Sequence, residues 1–136
     1  MPNSRSALVI ENNPEDLFEA ASAVRAAGIT SVLSYESTTK AVQFLDECVA
    51  GERVLPDLLV VDLDLGQESG YEILRYRRTT DSLANTPLIV WSVLGQDHEQ
   101  FCEVFKVDRF VSKSEGKEGL RDAIHQVLVC LSKRPL

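Results

Sequence analysis

Four places in the chain carry groups with complementary chemistry: the acid–amide pair Glu11-Asn12, the carboxylate Asp62, the hydroxyl Ser92 and the amine Lys113. Each follows a short strand-like run, at residues 7–10, 58–61, 87–91 and 109–112. Two carboxylates with an amide beside them supply oxygen ligands for a hard divalent cation such as Mg2+, which keeps several waters. A nearby lysine offsets charge and pairs with an anion bound at Asp62, and a hydroxyl on the neighbouring strand hydrogen-bonds the same anion. These are the groups that phosphoryl transfer to an aspartate requires, with Asp62 as nucleophile and the cation and lysine neutralising a loose transition state. Taken singly, each residue has an ordinary role: Asp62 caps a turn, Ser92 starts one, and Glu11 and Lys113 are solvated strand ends. Their joint appearance at the C-terminal ends of strands, where open α/β sheets place their sites, favours the chemical reading.

Those strands need helices between them. Asn13 is a good helix cap and Pro14 a good first helical residue. The helix that follows carries Leu17, Phe18, Ala21 and Val24 as its inner face and stops at Gly28. A second strand spans about 30–35, and a helix over about 38–50 turns Ala41, Val42, Leu45 and Val49 inward. The run 58–61 is apolar throughout, as expected of a central parallel strand buried on both faces. A turn-prone stretch at 66–70 leads to a helix at 71–78, and a polar loop at 79–86 leads to the fourth strand. A short helix over 96–106, with Phe101, Val104 and Phe105 inward, precedes the fifth strand. Leu120, Ile124, Val127, Leu128 and Leu131 then form one long stripe on the last helix. Five strands alternating with five helices predict right-handed crossovers and an α/β fold, a doubly wound five-stranded parallel sheet with helices on both faces.

The chain has 136 residues, so one domain is the simplest organisation, expected over 6–131. With 21 acids against 14 bases the net charge is −7, and no basic stripe offers to neutralise phosphates, which argues against nucleic acid. No apolar run approaches the length of a membrane span and the N-terminus lacks a signal-peptide core, so a cytoplasmic protein without membrane contact is expected. Cys48, Cys102 and Cys130 are widely spaced on predicted helices and read as buried small hydrophobes, not as a disulfide set or metal site. Trp91 reads as core, His98 and His125 as surface positions, and Arg75, Arg77 and Arg78 as a solvated basic cluster.

With VIENNPED at 9–16, PDLLVVDLDLGQESGYEIL at 56–74, TPLIVWS at 86–92 and RFVSK at 109–113, the chain resembles the receiver domain of two-component response regulators. It is most similar to stand-alone, single-domain regulators of the chemotaxis type, with no output domain. The resemblance implies a flavodoxin-like sheet of order 2-1-3-4-5. It implies Asp62 as phosphoacceptor, Lys113 as the paired lysine, and Ser92 with Phe110 as the switch pair. Glu11, Asn12, Asp62 and the backbone carbonyl of Asp64 are the implied Mg2+ ligands. The implied partners are a sensor histidine kinase or histidine phosphotransfer protein and a downstream protein target, and a homodimer is compatible. Such a protein is a phosphoacceptor that assists its own phosphoryl transfer and dephosphorylation, and not an enzyme on other substrates. Signalling would follow from movement of the hydroxyl and the aromatic, which remodels the face around the fourth and fifth strands.

Several positions depart from the family pattern. Asn12 stands where the family usually has an Asp, so one negative charge is lost and metal affinity should fall. Asp64 adds a carboxylate nearby that is expected to restore part of the attraction. Val93 replaces a very small residue and narrows access to Asp62; Gly66 and Ser114 replace prolines, so the cis bond usual after the lysine is not expected. These departures sustain an alternative: a receiver-like protein-interaction module acting without phosphorylation because of Asn12. A flavin-binding electron carrier on the same fold is disfavoured, because acids end the first strand and no phosphate loop follows.

Overall fold

Strand-forming runs and helix caps lie where the hydrophobic pattern predicts them, and the computed structural model describes residues 5–93, 100 and 103–132. The elements are β1 (Ser6–Ile10), α1 (Pro14–Ala26), β2 (Ser31–Tyr35), α2 (Thr38–Val49), β3 (Leu58–Val61), β4 (Asp64–Leu65), β5 (Glu68–Ser69), α3 (Tyr71–Arg78), β6 (Leu88–Ser92), β7 (Arg109–Ser112) and α4 (Gly116–Ser132). Short 3-10 turns occupy Asp81–Leu83 and Lys113–Glu115. Five strands form one parallel sheet in the order β2-β1-β3-β6-β7, the 2-1-3-4-5 order expected when only sheet strands are counted. β4 and β5 form a separate antiparallel hairpin that begins before, and extends into, the stretch 66–70 read from sequence as turn-prone.

Alternation along the strands divides the core into two layers. Val9, Val60, Ile89 and Trp91 face Ala20, Ala23 and Val24 of α1 and Leu120, Ile124 and Leu128 of α4. Leu8, Ile10, Leu59, Val61 and Val90 face Ala41, Phe44 and Leu45 of α2 and Ile73 and Leu74 of α3. β3 is buried at every position, as its unbroken apolar run predicts.

Five expectations need correction. Phe18 is 72% exposed, because α1 approaches the sheet through the small residues Ala20 and Ala23 and leaves the bulky ring outside. Val49 is exposed, while Phe44 and Cys48 take the inward positions of α2. Val104 is exposed, whereas Phe105 is half-buried against Tyr71 at 6.2 Å between ring centroids. Arg77 is buried, leaving the predicted basic cluster, and Cys130 is exposed on α4 while Cys48 is buried as expected. Much of the predicted 96–106 helix, with His98, Phe101 and Cys102, lies outside the described residues, as does the Leu131 side chain. No peptide bond among the described residues is cis.

Candidate functional site

Register brings the chemistry-bearing residues to one edge. Ile10 pairs with Val61 and Val61 with Val90, so Glu11 and Asp62 leave adjacent strands together. Ser92 pairs with Ser112, which puts Lys113 one residue beyond the end of β7. Backbone bonds continue past the strands: the Asp62 N–H donates to the Ile10 carbonyl at 3.0 Å and the Glu11 N–H to the Tyr35 carbonyl at 3.1 Å. The backbone beneath the cluster is therefore held by the sheet.

The side chains then converge. Asp62 is only 5% exposed. Its Oδ1 accepts hydrogen bonds from Ser92 Oγ at 3.0 Å and from the Asp64 N–H at 3.1 Å. Its Oδ2 accepts from Lys113 Nζ at 3.1 Å. The same ammonium lies 2.9 Å from Glu11 Oε2 and 2.7 Å from Asp16 Oδ2, and 5.4 Å from the centre of the buried Trp91 ring. Burial pushes the Glu11 carboxyl up to about 7, with the Asp62 charge pushing the same way and the Lys113 hydrogen bond pulling down. For Lys113, burial works against the charged form, but the hydrogen bonds it donates to Asp16, Glu11 and Asp62 outweigh it and raise its pKa.

Two loops complete the site. Asn13 Oδ1 caps α1 by accepting from the Glu15 and Asp16 N–H groups, and the Asn13 N–H donates to Glu11 Oε1 at 3.1 Å. The other loop is the β4–β5 hairpin, which turns at Gly66 with φ 77°. Gly70 ends this loop at a point where a Cβ would sit 2.1 Å from the Asp62 carbonyl oxygen, so only glycine fits there. Thr38 Oγ1 donates to the Ser69 carbonyl, and Glu68 accepts from the Thr39 N–H and hydroxyl, tying the hairpin to the start of α2.

Glu11, Asp62, Ser92 and Lys113 thus meet as their strand ends predict. Asn12 is exposed beside Gly66, the exposed Asp64 carboxylate accepts from the Gly66 N–H at 3.2 Å, and Val93 is exposed. Phe110 is half-buried against the core layer of α2 and α3, apart from the Lys113 contacts. Asp16 is the residue that sequence reasoning missed. The available signal was its place three residues after the Asn13 cap, in the first turn of a helix that begins at the carboxyl edge of the sheet. A cavity of about 440 Å³ lined by Arg5, Ser31, Leu33, Phe44 and Asp57 lies at the amino ends of the strands, away from this cluster.

Residues 7–125 match the family described as response regulator receiver domain. The chain belongs to that family. Nothing among curated proteins matches it. Among solved structures, this receiver domain is similar to the phosphorylated cyanobacterial phytochrome response regulator RcpA, at 20% identity and a TM-score of 0.76, covering 91% of each chain. It is similar to a signal receiver domain from Clostridium thermocellum, at 18% identity and TM-score 0.78 over 91% of this chain and 97% of that one. The Vibrio cholerae chemotaxis protein CheY4 matches at 14% identity and TM-score 0.77 over 91% and 98%. The Mn(2+)-bound response regulator Rcp1 matches at 16% identity and TM-score 0.75 over 97% of each chain. At these identities the likeness is one of fold, the flavodoxin-like receiver architecture.

Receiver domains belong to two-component systems, work with histidine kinases or phosphotransfer proteins, and generally bind Mg2+ in an acidic pocket. The oxygen chemistry of the residues suits such an ion, which the Glu11 and Asp62 carboxylates, the Asn12 amide and the Asp64 backbone carbonyl would hold. Among the described residues no three side chains of His, Cys, Asp or Glu form a metal cage. No helix among the described residues is long and apolar enough to cross a membrane.

Proposed function

We propose that this receiver domain accepts a phosphoryl group on Asp62 from a histidine kinase or histidine phosphotransfer protein. The observation that carries this reading is the Asp62 carboxylate, 5% exposed, with one oxygen on Ser92 Oγ at 3.0 Å and the other on Lys113 Nζ at 3.1 Å. A carboxylate oxygen of Asp62 attacks phosphorus, the phosphorus–nitrogen bond of a phosphohistidine breaks, and the imidazole leaves with the bonding pair. Lys113 stabilises the negative oxygens that develop, and bound Mg2+ would supply further positive charge to them. Ser92 is placed to move from the carboxylate onto a phosphoryl oxygen, and Phe110 at the next strand to repack in response. The readout is then a packing change around β6 and β7. The protein acts on itself and signals by binding a downstream protein.

A phosphorylated and a Mn(2+)-bound neighbour, RcpA and Rcp1, share the fold, but the chemistry proposed here rests on the side-chain geometry. One observation favours a second reading, the phosphorylation-independent interaction module: Asn12 brings no charge to the metal ligands. Intact mass after incubation with a small-molecule phosphodonor, with and without Mg2+ and beside Asp62→Asn, decides between them. A Mg2+-dependent gain of one phosphoryl group, absent in the variant, supports phosphoacceptance. No gain in the parent protein, with the gain appearing in Asn12→Asp, supports the interaction module.

A further inference from the structure

Lys113 is claimed by more acids than it can neutralise. Its ammonium is 2.7 Å from Asp16, 2.9 Å from Glu11 and 3.1 Å from Asp62. Glu11 and Asp62 are the proposed cation ligands, and an ammonium resting on both competes with a divalent ion for the same oxygens. A third carboxylate that draws the ammonium away weakens that competition, because Coulomb attraction depends inversely on distance and is strong in a partly buried site. Asp16 is placed to do this. Its backbone N–H is fixed by Asn13 Oδ1 at 3.0 Å, and Asn13 is in turn held by Glu11, so the acid stands at a defined point on the first turn of α1.

Asp16 also answers the departure at Asn12. Asp64, the other nearby acid, is exposed and turned onto the Gly66 N–H, and no contact joins it to Lys113. Asp16 makes the shortest of the ammonium's three contacts, 97 residues from Lys113 in sequence. A carboxylate in a first helical turn ordinarily favours the helix dipole, which accounts for an acid at this position but not for its bond to a distant lysine.

We propose that Asp16 is a positioning residue that draws the Lys113 ammonium toward α1 and so restores to Glu11 and Asp62 the divalent-cation affinity that Asn12 removes. The inference deepens the phosphoacceptor reading and rests on it through the cation.

The test is Mg2+ titration of the full chain without phosphodonor, followed by fluorescence of Trp91, the sole tryptophan, and by calorimetry. The proteins are the parent, Asp16→Asn, Asn12→Asp/Asp16→Asn, and Glu15→Gln as a charge control on the same helical turn. Asp16→Asn is expected to weaken Mg2+ binding about tenfold, the double variant to return to the parent's affinity, and Glu15→Gln to stay within about twofold. A lower melting temperature for Asp16→Asn with unchanged affinity would reduce Asp16 to a helix-end charge and overturn the proposal. Equal weakening by Glu15→Gln would overturn it in favour of diffuse charge. Phosphoryl gain in the parent beside unchanged affinity in Asp16→Asn removes this inference alone, whereas a parent that binds no Mg2+ removes both readings.

Discussion

Lys113 holds the Glu11 and Asp62 carboxylates together and would compete with a divalent cation for the same oxygens. The buried ammonium answers Glu11 and Asp62, which are 2% and 5% exposed, and removing one partner of such a cluster leaves charge uncompensated. Lys113→Met is therefore expected to lose about 3 kcal/mol of stability without metal, a figure typical of a broken buried pair. The same variant should gain more from Mg2+ than the parent does, because the competing cation is gone and the ion binds only the folded state. Melting curves with and without Mg2+ check this; a variant as stable as the parent in buffer alone would contradict it. Tyr76 allows a pH prediction at the same scale. Burial, with the hydrogen bond its hydroxyl donates to Asp46, pushes its phenol up to about 12 from an ordinary value of 10. A raised folded-state pKa contributes stability that is complete below pH 10 and is lost as pH rises through about 12. Comparing the parent with Tyr76→Phe by denaturation at neutral pH and above pH 11 should show the difference between them shrinking; a constant difference would reject the linkage.

The loop that follows Asp62 depends on an element too short to be seen as one. β4 and β5 make a two-residue ladder, yet Glu68 and Ser69 anchor it to Thr39 and Thr38 of α2. Gly70 closes the loop under the Asp62 carbonyl, where a Cβ would stand 2.1 Å from the oxygen. Gly70→Ala must displace the Asp62 backbone, at a cost of about 2 kcal/mol by analogy with overpacked cores. Phosphoryl gain should fall more than stability does, because the carboxylate leaves the line between Ser92 and Lys113. Mass measurement at a temperature where the variant remains folded separates these effects, and full phosphoryl gain would show that the loop tolerates the shift.

Across the molecule the sheet has two working edges with different tasks. At the carboxyl edge charge is gathered around Lys113, while at the amino edge charge closes the structure. Arg77 donates to the Thr86 carbonyl at 2.7 Å, the Lys106 carbonyl at 3.3 Å and the Asp108 carboxylate at 3.1 Å. Asp108 in turn accepts from the Leu88 N–H at 2.8 Å, so α3, β6 and the segment before β7 are joined through one guanidinium. Arg77→Met should cost about 3 kcal/mol by leaving these acceptors without their donor. Arg75→Ala, at an exposed position paired with Glu72 on its own helix, should cost less than about 0.5 kcal/mol. Similar losses from both substitutions in chemical denaturation would refute the buried role of Arg77.

Strand positions, helix caps and the residues at the strand ends were legible in the sequence because they are local. An apolar run such as 58–61 admits one reading, and Asn13-Pro14 starts a helix wherever it lies in space. Parallel register then carries Glu11, Asp62, Ser92 and Lys113 to one edge without further information. Faces and long-range pairs were not local. Phe18 lies outside because the close approach of α1 to the sheet selects alanines at the contact, a matter of distance between elements. Arg77 reads as a solvated residue beside Arg75 and Arg78 until β6 and the turn before β7 bring three acceptors around it. Asp16 reads as a helix-end acid until the chain, 97 residues later, places Lys113 beside it. The sequence by itself determined the five strands of the sheet and which groups their ends present. Tertiary structure alone decided which charges share a neighbour, because Coulomb energy depends on separation in space and not on separation along the chain.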